Sequence, residues 1–470
     1  MSRLVALAPE LALVWTSVTL FAMMPGRRRR ASGVVLVGGG IAALAAAIGT
    51  IGVSDEFLYL AYRVDAYSQA AKGIVIAGLV LAGTTRGATG HPEPAAEDQF
   101  FLVVAAMGLV VAASLVDVLA LFLALEITSV AMIALAGLGS LADGHRGWGR
   151  LTSTSLTPSA LGALGLALLV GATGATRLAD ITSALGADAA QPAGFAGAAL
   201  FLCGFLVRWG AAPFYAWLPH LLRDPSPRAA LFAGTSIWMG LGVVIVRLVA
   251  ALAPLGHSLA VLLALVAVVA FLFGTSNLRP RRDARCLLSY LLVAQSGFVI
   301  AALATPGPRA VSAALAATLV VAAANAAILL VLTDSTARGP VTGPGDFRAI
   351  VGRSPFVAVP LVTGLLALAA LPPTAGFLAR WRLLDAAWRE GWWAPALAGL
   401  AASTVLAFLA LALVRQLLVR GDSGRGAAAA PPPARVALKV AWALAILLLV
   451  LALAPGPLHR GADFLSHFVI

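Results

Sequence analysis

The sequence predicts an all-α polytopic membrane protein of about fourteen transmembrane helices, two of them broken by proline in pseudo-symmetric inverted repeats. Three observations predict it. Of 470 residues 61% are hydrophobic and only 11% charged, whereas soluble domains carry roughly a quarter charged. Apolar runs of about twenty residues recur from end to end, each able to span a ~30 Å hydrocarbon core as a helix. The basic residues, finally, concentrate on alternate loops.

In chain order the runs place helices at 5–25, 32–53, 66–84, 98–116, 117–138, 148–172, 193–219, 229–250, 257–276, 284–304, 309–333, 355–381, 391–414 and 434–455. No small-residue cleavage site follows the first run before Arg27, so it reads as a retained helix rather than a signal peptide. Helix 193–219 is interrupted at Pro213 and helix 355–381 at Pro372 and Pro373. Proline lacks the amide donor and frees a carbonyl one turn earlier, giving ions or water polar backbone to contact. Matching breaks in two halves of a chain point to inverted repeats around an ion path.

Twenty Lys and Arg fall on the loops of one side, starting with Arg27–Arg30, against seven on the other; five lie inside helices. The positive-inside rule makes the arginine-rich side cytoplasmic and puts both termini outside, in a bacterial inner membrane. The net charge of +12 is therefore topological, and nucleic acid is not an expected partner. A single membrane domain is expected over 1–470, with a core at roughly 98–420 and peripheral helices at 1–97 and 434–455. The Ala/Gly/Pro tract from Gly421 to Pro433 reads as a flexible cytoplasmic linker, and Thr333 to Ser354 as the other long cytoplasmic connection.

Six charged side chains are candidates for a role inside the bilayer. Glu126 sits mid-helix in DVLALFLALEITSVAMIAL, where an ionised carboxylate costs several kcal/mol unless paired or hydrated. Arg208 precedes Pro213 by five residues in FLCGFLVRWGAAPFYAWLPH, and Arg380 follows Pro372 and Pro373 in ALPPTAGFLARWRLL. Arg380 also reads as an interfacial anchor, since Trp381 and Arg382 follow at once. Arg150 is either a partner for Glu126 or a cytoplasmic anchor, and Arg247 looks like a snorkelling anchor. Lys72, one of two lysines in the chain, has no assigned role. Asn325 and Gln295 suit helix packing or a water wire. Cys203 and Cys286 read as apolar filler. No Walker A, dinucleotide fingerprint, cysteine cluster or bis-histidine pattern is present, so nothing in the sequence handles electrons or a nucleotide.

Taken in order, seven segments resemble the antiporter-like subunit N of bacterial proton-pumping NADH:quinone oxidoreductase: LAPELAL, RVDAYSQ, DVLALFLALEITSVAMIALAGL, LVGATGATRLADI, RWGAAPFYAWLPHLLRDPSP, RDARCLLSYLLVAQSGFVIAAL and LALAALPPTAGFLARW. Mrp-type antiporter subunits share the core fold. The resemblance implies a membrane-arm subunit that couples quinone reduction by partner subunits to proton translocation. Quinone, FMN and iron–sulfur clusters are expected in those partners, and no cofactor in this chain. It also implies that Glu126 matches a fifth-helix glutamate. Arg150, Arg208 and Arg380 fall where the family has lysines, and Ile237, or Trp238 with one residue's shift, at an eighth-helix lysine. Arginine almost never releases its proton. A Mrp-type cation/proton antiporter subunit and a non-pumping structural subunit are therefore kept as alternatives.

Overall fold

The computed structural model describes residues 2–26, 29–85, 96–140, 146–187, 192–213, 215–223, 227–278, 284–305, 307–335, 351, 355–418 and 435–469. The tract 421–433 and nearly all of 333–354 lie outside the described residues, as do the side chains of Arg150 and Cys286.

The first half runs through α1 (Ser2–Ala6), α2 (Ala8–Met23), α3 (Arg29–Gly49), α4 (Ala66–Thr84), α5 (Ala96–Ala112), α6 (Val118–Ser140), α7 (Arg146–Thr173) and α8 (Leu178–Ala187). Then come α9 (Pro192–Trp209), α10 (Trp217–Arg223) and α11 (Pro227–Phe232), which a π-helical turn at Ala233–Ile237 joins to α12 (Trp238–Ala251). The second half comprises α13 (Gly256–Ser276), α14 (Ala284–Leu303), α15 (Pro308–Ser335), α16 (Ala358–Leu368), α17 (Ala375–Arg389), α18 (Trp393–Leu418), α19 (Arg435–Leu453) and α20 (Gly456–Ser466). Among the described residues, ten helices are long and apolar enough to cross a membrane, and Ala8–Met23, Leu287–Leu303 and Ala358–Leu368 are shorter apolar helices.

Three elements were not expected: the short α8, the terminal α20, and an antiparallel hairpin of β1 (Asp55–Phe57) and β2 (Tyr62–Val64). All three are too short to register as apolar runs. The hairpin leads into α4, whose start is fixed by a reciprocal cap: Asp65 accepts from the Ser68 amide, and Ser68 Oγ accepts from the Asp65 amide.

The helices that carry the site approach closely because glycine lines their seam. A Cβ on Gly197 of α9 would stand 2.4 Å from the Leu169 amide nitrogen, and one on Gly165 of α7 would stand 2.1 Å from that of Phe201. One on Gly204 would stand 2.8 Å from the Pro158 carbonyl. Van der Waals contact, the main source of helix association in lipid, is thus close along the α7–α9 seam from Gly197 to Gly204. Arg208 lies one turn beyond Gly204, which brings it to Ser159.

Both breaks lie where expected, but neither helix is ended by its proline. At the first, the Ala211 amide donates to the Leu206 carbonyl and the Gly210 amide to Val207, with Gly210 at φ +81°. At the second, Leu371 donates to Leu366 and Ala370 to Ala367, with Ala370 at φ +55°. Each is the closing pattern of a helix that turns left-handed at its last step. Pro213 and the pair Pro372–Pro373 come after the stop, prevent the helix from resuming, and are themselves exposed.

Candidate functional site: a buried ion pair at a helix break

Arg208 occupies the last turn of α9, where the unpaired carbonyls of the helix end favour a cation. Its guanidinium forms an ion pair with the Glu126 carboxylate of α6. It also donates to the Leu125 carbonyl at 2.9 Å, to Ser129 Oγ at 2.6 Å and to Ser159 Oγ at 3.0 Å. Ser159 in turn donates to the other oxygen of Glu126 at 3.0 Å, so both carboxylate oxygens are engaged. Arg208 is 8% exposed, while the Glu126 side chain keeps 26% of its surface accessible. The pair is thus sealed on the cation side and open on the carboxylate side.

Glu126 pairs with Arg208, the cation two helices on. Arg150 lies in the first turns of α7, its side chain outside the described residues. The two serines were missed from the sequence. Ser129 was recoverable, because it follows Glu126 by three residues and shares its helix face. Ser159 carries no such signal; the glycine seam alone brings it there.

Arg380 is 6% exposed, which excludes the interfacial-anchor reading, and its neighbour Trp381 is 62% exposed. Its surroundings differ from those of Arg208. It donates to the Leu368 carbonyl at 2.9 Å and the Ala369 carbonyl at 3.3 Å, the free end of the half-helix before the break. Gln295 Oε1 accepts at 2.8 Å, and the Phe298 ring lies 3.9 Å from the guanidinium carbon. No carboxylate faces it among the described residues. Gln295 also donates to Leu368, so it packs α14 against both halves of the break.

Arg380 and Arg208 therefore stand at breaks of the same kind in different settings. Gly210 and Ala370 occupy equivalent positions, yet Arg208 precedes its break and Arg380 follows its own. The shared feature is electrostatic: each guanidinium sits at the carbonyl end of a half-helix, one on that half-helix and one reaching back to it. At the first break that end is completed by an indole, since Trp217 Nε1 donates to the Val207 carbonyl at 2.7 Å.

Ile237 and Trp238 are buried at the π turn. Trp238 stacks on Trp209 with ring centroids 4.6 Å apart, and its carbonyl accepts from Trp209 Nε1 at 2.8 Å. A stacked pair of aromatic rings thus stands where the resemblance implies a cation. Asn325 donates to the Gly234 carbonyl of the π turn at 3.2 Å.

Arg247 is not a snorkelling anchor. It is 5% exposed and pairs with Asp65 at 2.8 Å, while the Ala113 carbonyl accepts from it at 2.9 Å. An anchor and a buried pair look alike in sequence; only the cap that turns Asp65 inward at the start of α4 distinguishes them. Among the described residues, no group of three His, Cys, Asp or Glu side chains could hold a metal ion.

Residues 116–406, which contain Glu126, Arg208 and Arg380, match the family described as NADH:quinone oxidoreductase/Mrp antiporter, transmembrane. The chain belongs to this family. Members similar to it include an NADH-quinone oxidoreductase subunit N of Opitutus terrae, 28% identical over 94% of this chain and 93% of the relative. Another is the F420H2 dehydrogenase subunit N of Methanosarcina mazei, 27% identical over 94% of each chain. Among solved structures, a chain of respiratory complex I from Thermus thermophilus superposes with a TM-score of 0.81 and 24% identity, covering 96% of this chain and 98% of that one. A chain of the Mrp complex from Dietzia superposes at 0.83 and 19% identity, covering 99% and 97%. Both likenesses establish the family fold.

Proposed function

We propose that this chain is a subunit N-type member of the membrane arm of an NADH:quinone oxidoreductase-like assembly, one that couples quinone reduction in partner subunits to proton translocation. Quinone, FMN and iron–sulfur clusters belong to those partners. The chain crosses the bacterial inner membrane fourteen times as inverted repeats, with both termini outside. The ten long apolar helices, the three shorter ones and the alternation of basic loops support this reading.

The observation that carries the functional reading is the Glu126–Arg208 pair at the first break, inside the family match. A carboxylate and a guanidinium at this depth form a dipole that orients water along the protein interior. Arg208, Arg380 and Arg150 act as fixed positive charges. No proton leaves a guanidinium, which keeps its charge across the pH range that proteins meet. Charge shifts in partner subunits are felt here as a change in how tightly Glu126 is held.

The arginines also favour a second reading, a subunit that anchors its neighbours without pumping. One experiment separates the two. The assembled complex in proteoliposomes is compared with a Glu126→Gln variant that assembles equally well. A large fall in protons moved per electron supports the proposal. Unchanged pumping leaves Glu126 silent and makes the chain a structural subunit.

A further inference from the structure

A second set of buried charges lies away from the Glu126 axis, in the N-terminal helices. Lys72 of α4 is fully buried, its Nζ 2.6 Å from Glu10 Oε1 of α2. The contact is close but off the line of a hydrogen bond, so the ammonium makes no aligned bond among the described residues. Tyr62 of β2 donates to the same Glu10 oxygen at 2.6 Å, and its ring lies 5.3 Å from Nζ. Glu10 Oε2 is buried with no partner among the described residues. Asp65, Gln69 and Lys72 recur at helical spacing, so the Asp65–Arg247 pair lies on the same face of α4, within electrostatic reach of Lys72. Arg247 also lines a cleft of about 130 Å³ with Glu56, Arg63, Arg177, Thr182 and Val469.

In the other direction the site meets the π turn. Val75, three residues beyond Lys72, accepts at its carbonyl from Ser236 Oγ at 2.9 Å. Ser236 belongs to the same turn that leads into Trp238, which stacks on Trp209 beside Arg208. The Ser236–Val75 bond therefore ties the π turn to α4 one turn from Lys72, while the Asp65–Arg247 pair at the start of α4 borders the cleft.

We infer that Lys72 and Glu10 form the proton-exchanging pair of this chain, with the cleft at Arg63, Arg177 and Arg247 as its opening to water. The inference rests on the proton-translocating role proposed above. Lysine differs from arginine on the point that matters, since a buried ammonium can give up its proton. In the transfer, the N–H bond of the Lys72 ammonium breaks and an O–H bond forms on a Glu10 carboxylate oxygen. A neutral amine and a neutral acid result, and the net charge of the pair stays zero. The free Oε2 gives the proton a place to land. Water from the cleft side then accepts it from Glu10, and reprotonation of Lys72 from the π-turn side restores the pair.

The test uses the assembled complex in proteoliposomes with Lys72→Arg, which keeps the positive charge and the contact to Glu10 but cannot release a proton. Protons moved per electron should fall at least fivefold while electron transfer into the complex continues. Wild-type pumping in an assembled Lys72→Arg complex overturns the inference and leaves the proposed function intact. A wild-type complex that does not pump overturns both. Should Lys72→Arg fail to assemble, infrared difference spectra of the wild type during turnover decide. A protonated-carboxyl band that Glu10→Gln abolishes supports the pair, and spectra in which Glu10→Gln removes no band overturn it.

Discussion

Arg63 and Arg247 line the same cleft, yet their ion pairs lie on opposite sides of the protein surface. Arg63 meets Glu56 at 3.5 Å with about two fifths of each side chain exposed, whereas Arg247 and Asp65 are each 6% exposed. Desolvation makes the difference. Arg63→Ala should change stability by less than about 1 kcal/mol, as exposed pairs do. Arg247→Ala strands a buried carboxylate and should cost about 3–5 kcal/mol. Thermal midpoints of the two variants in the same detergent check this, and equal shifts would contradict the burial argument. The sequence told the charged residues apart by depth and not by partner. Glu126 and Arg208 were legible because each interrupts an apolar helix. That Glu126 takes Arg208, and that Asp65 turns inward to meet Arg247, depends on contacts between helices far apart in the chain. Lys72 was conspicuous in sequence, yet its role needs Glu10, far away in the chain, and Tyr62, ten residues away, both on other elements.

Among the elements, the two broken helices were the most legible and their mechanism the least. Prolines mark the breaks in the sequence, but the stop is made by residues just before them: Gly210 at φ +81° and Ala370 at φ +55°. Alanine rarely enters that region, so a sequence rule keyed to glycine finds only the first. The seam between α7 and α9 was not foreseen either, because isolated glycines in apolar helices are common. It yields a clear expectation. Gly197→Ala puts a methyl carbon 2.4 Å from a backbone nitrogen that cannot step aside. The variant should lose about 1–3 kcal/mol, as overpacked interfaces do, and loosen the Ser159–Arg208 contact with it. Gly171→Ala, where nothing lies within 4 Å, is the control. Lower yield and thermal midpoint for the first alone would bear this out.

On the scale of the whole molecule, the hydropathy pattern carried the helical membrane fold, since a bilayer leaves a helical chain few ways to satisfy its backbone. Sidedness is tested by labelling. In a background with Cys203 and Cys286 replaced by serine, Ser466→Cys should react with an impermeant maleimide in intact cells. Asn277→Cys should react only after permeabilisation, and the reverse pattern would invert the topology. The terminal α20 reports on pH. It is tied down by Ser312 and Arg382, which both reach Asp463, and by Arg247, which donates to the Phe468 carbonyl at 3.4 Å. His459 on this helix is held below its ordinary value of 6.5, first by partial burial and then by the nearby Arg382 charge. Its neutral form therefore favours the docked state. That contribution is present above pH 6.5 and fades as the pH falls through and below it. Faster hydrogen exchange in 456–466 at pH 5 than at pH 7.5, after correction for intrinsic rates, is the expected result.

The two helix breaks share a backbone but not a charge balance. Arg208 is answered by a carboxylate, and Arg380, among the described residues, by carbonyls, an amide, the Ser403 hydroxyl and an aromatic face. A pair of identical half-sites would offer a cation the same landscape in either direction, and motion between them would have no sense. Here the interior is polarised, close to neutral at one break and positive at the other. A cation entering near Glu126 meets a rising potential toward Arg380. In the proposed function, a partner that reverses this tilt, even briefly, sets the direction of the stroke.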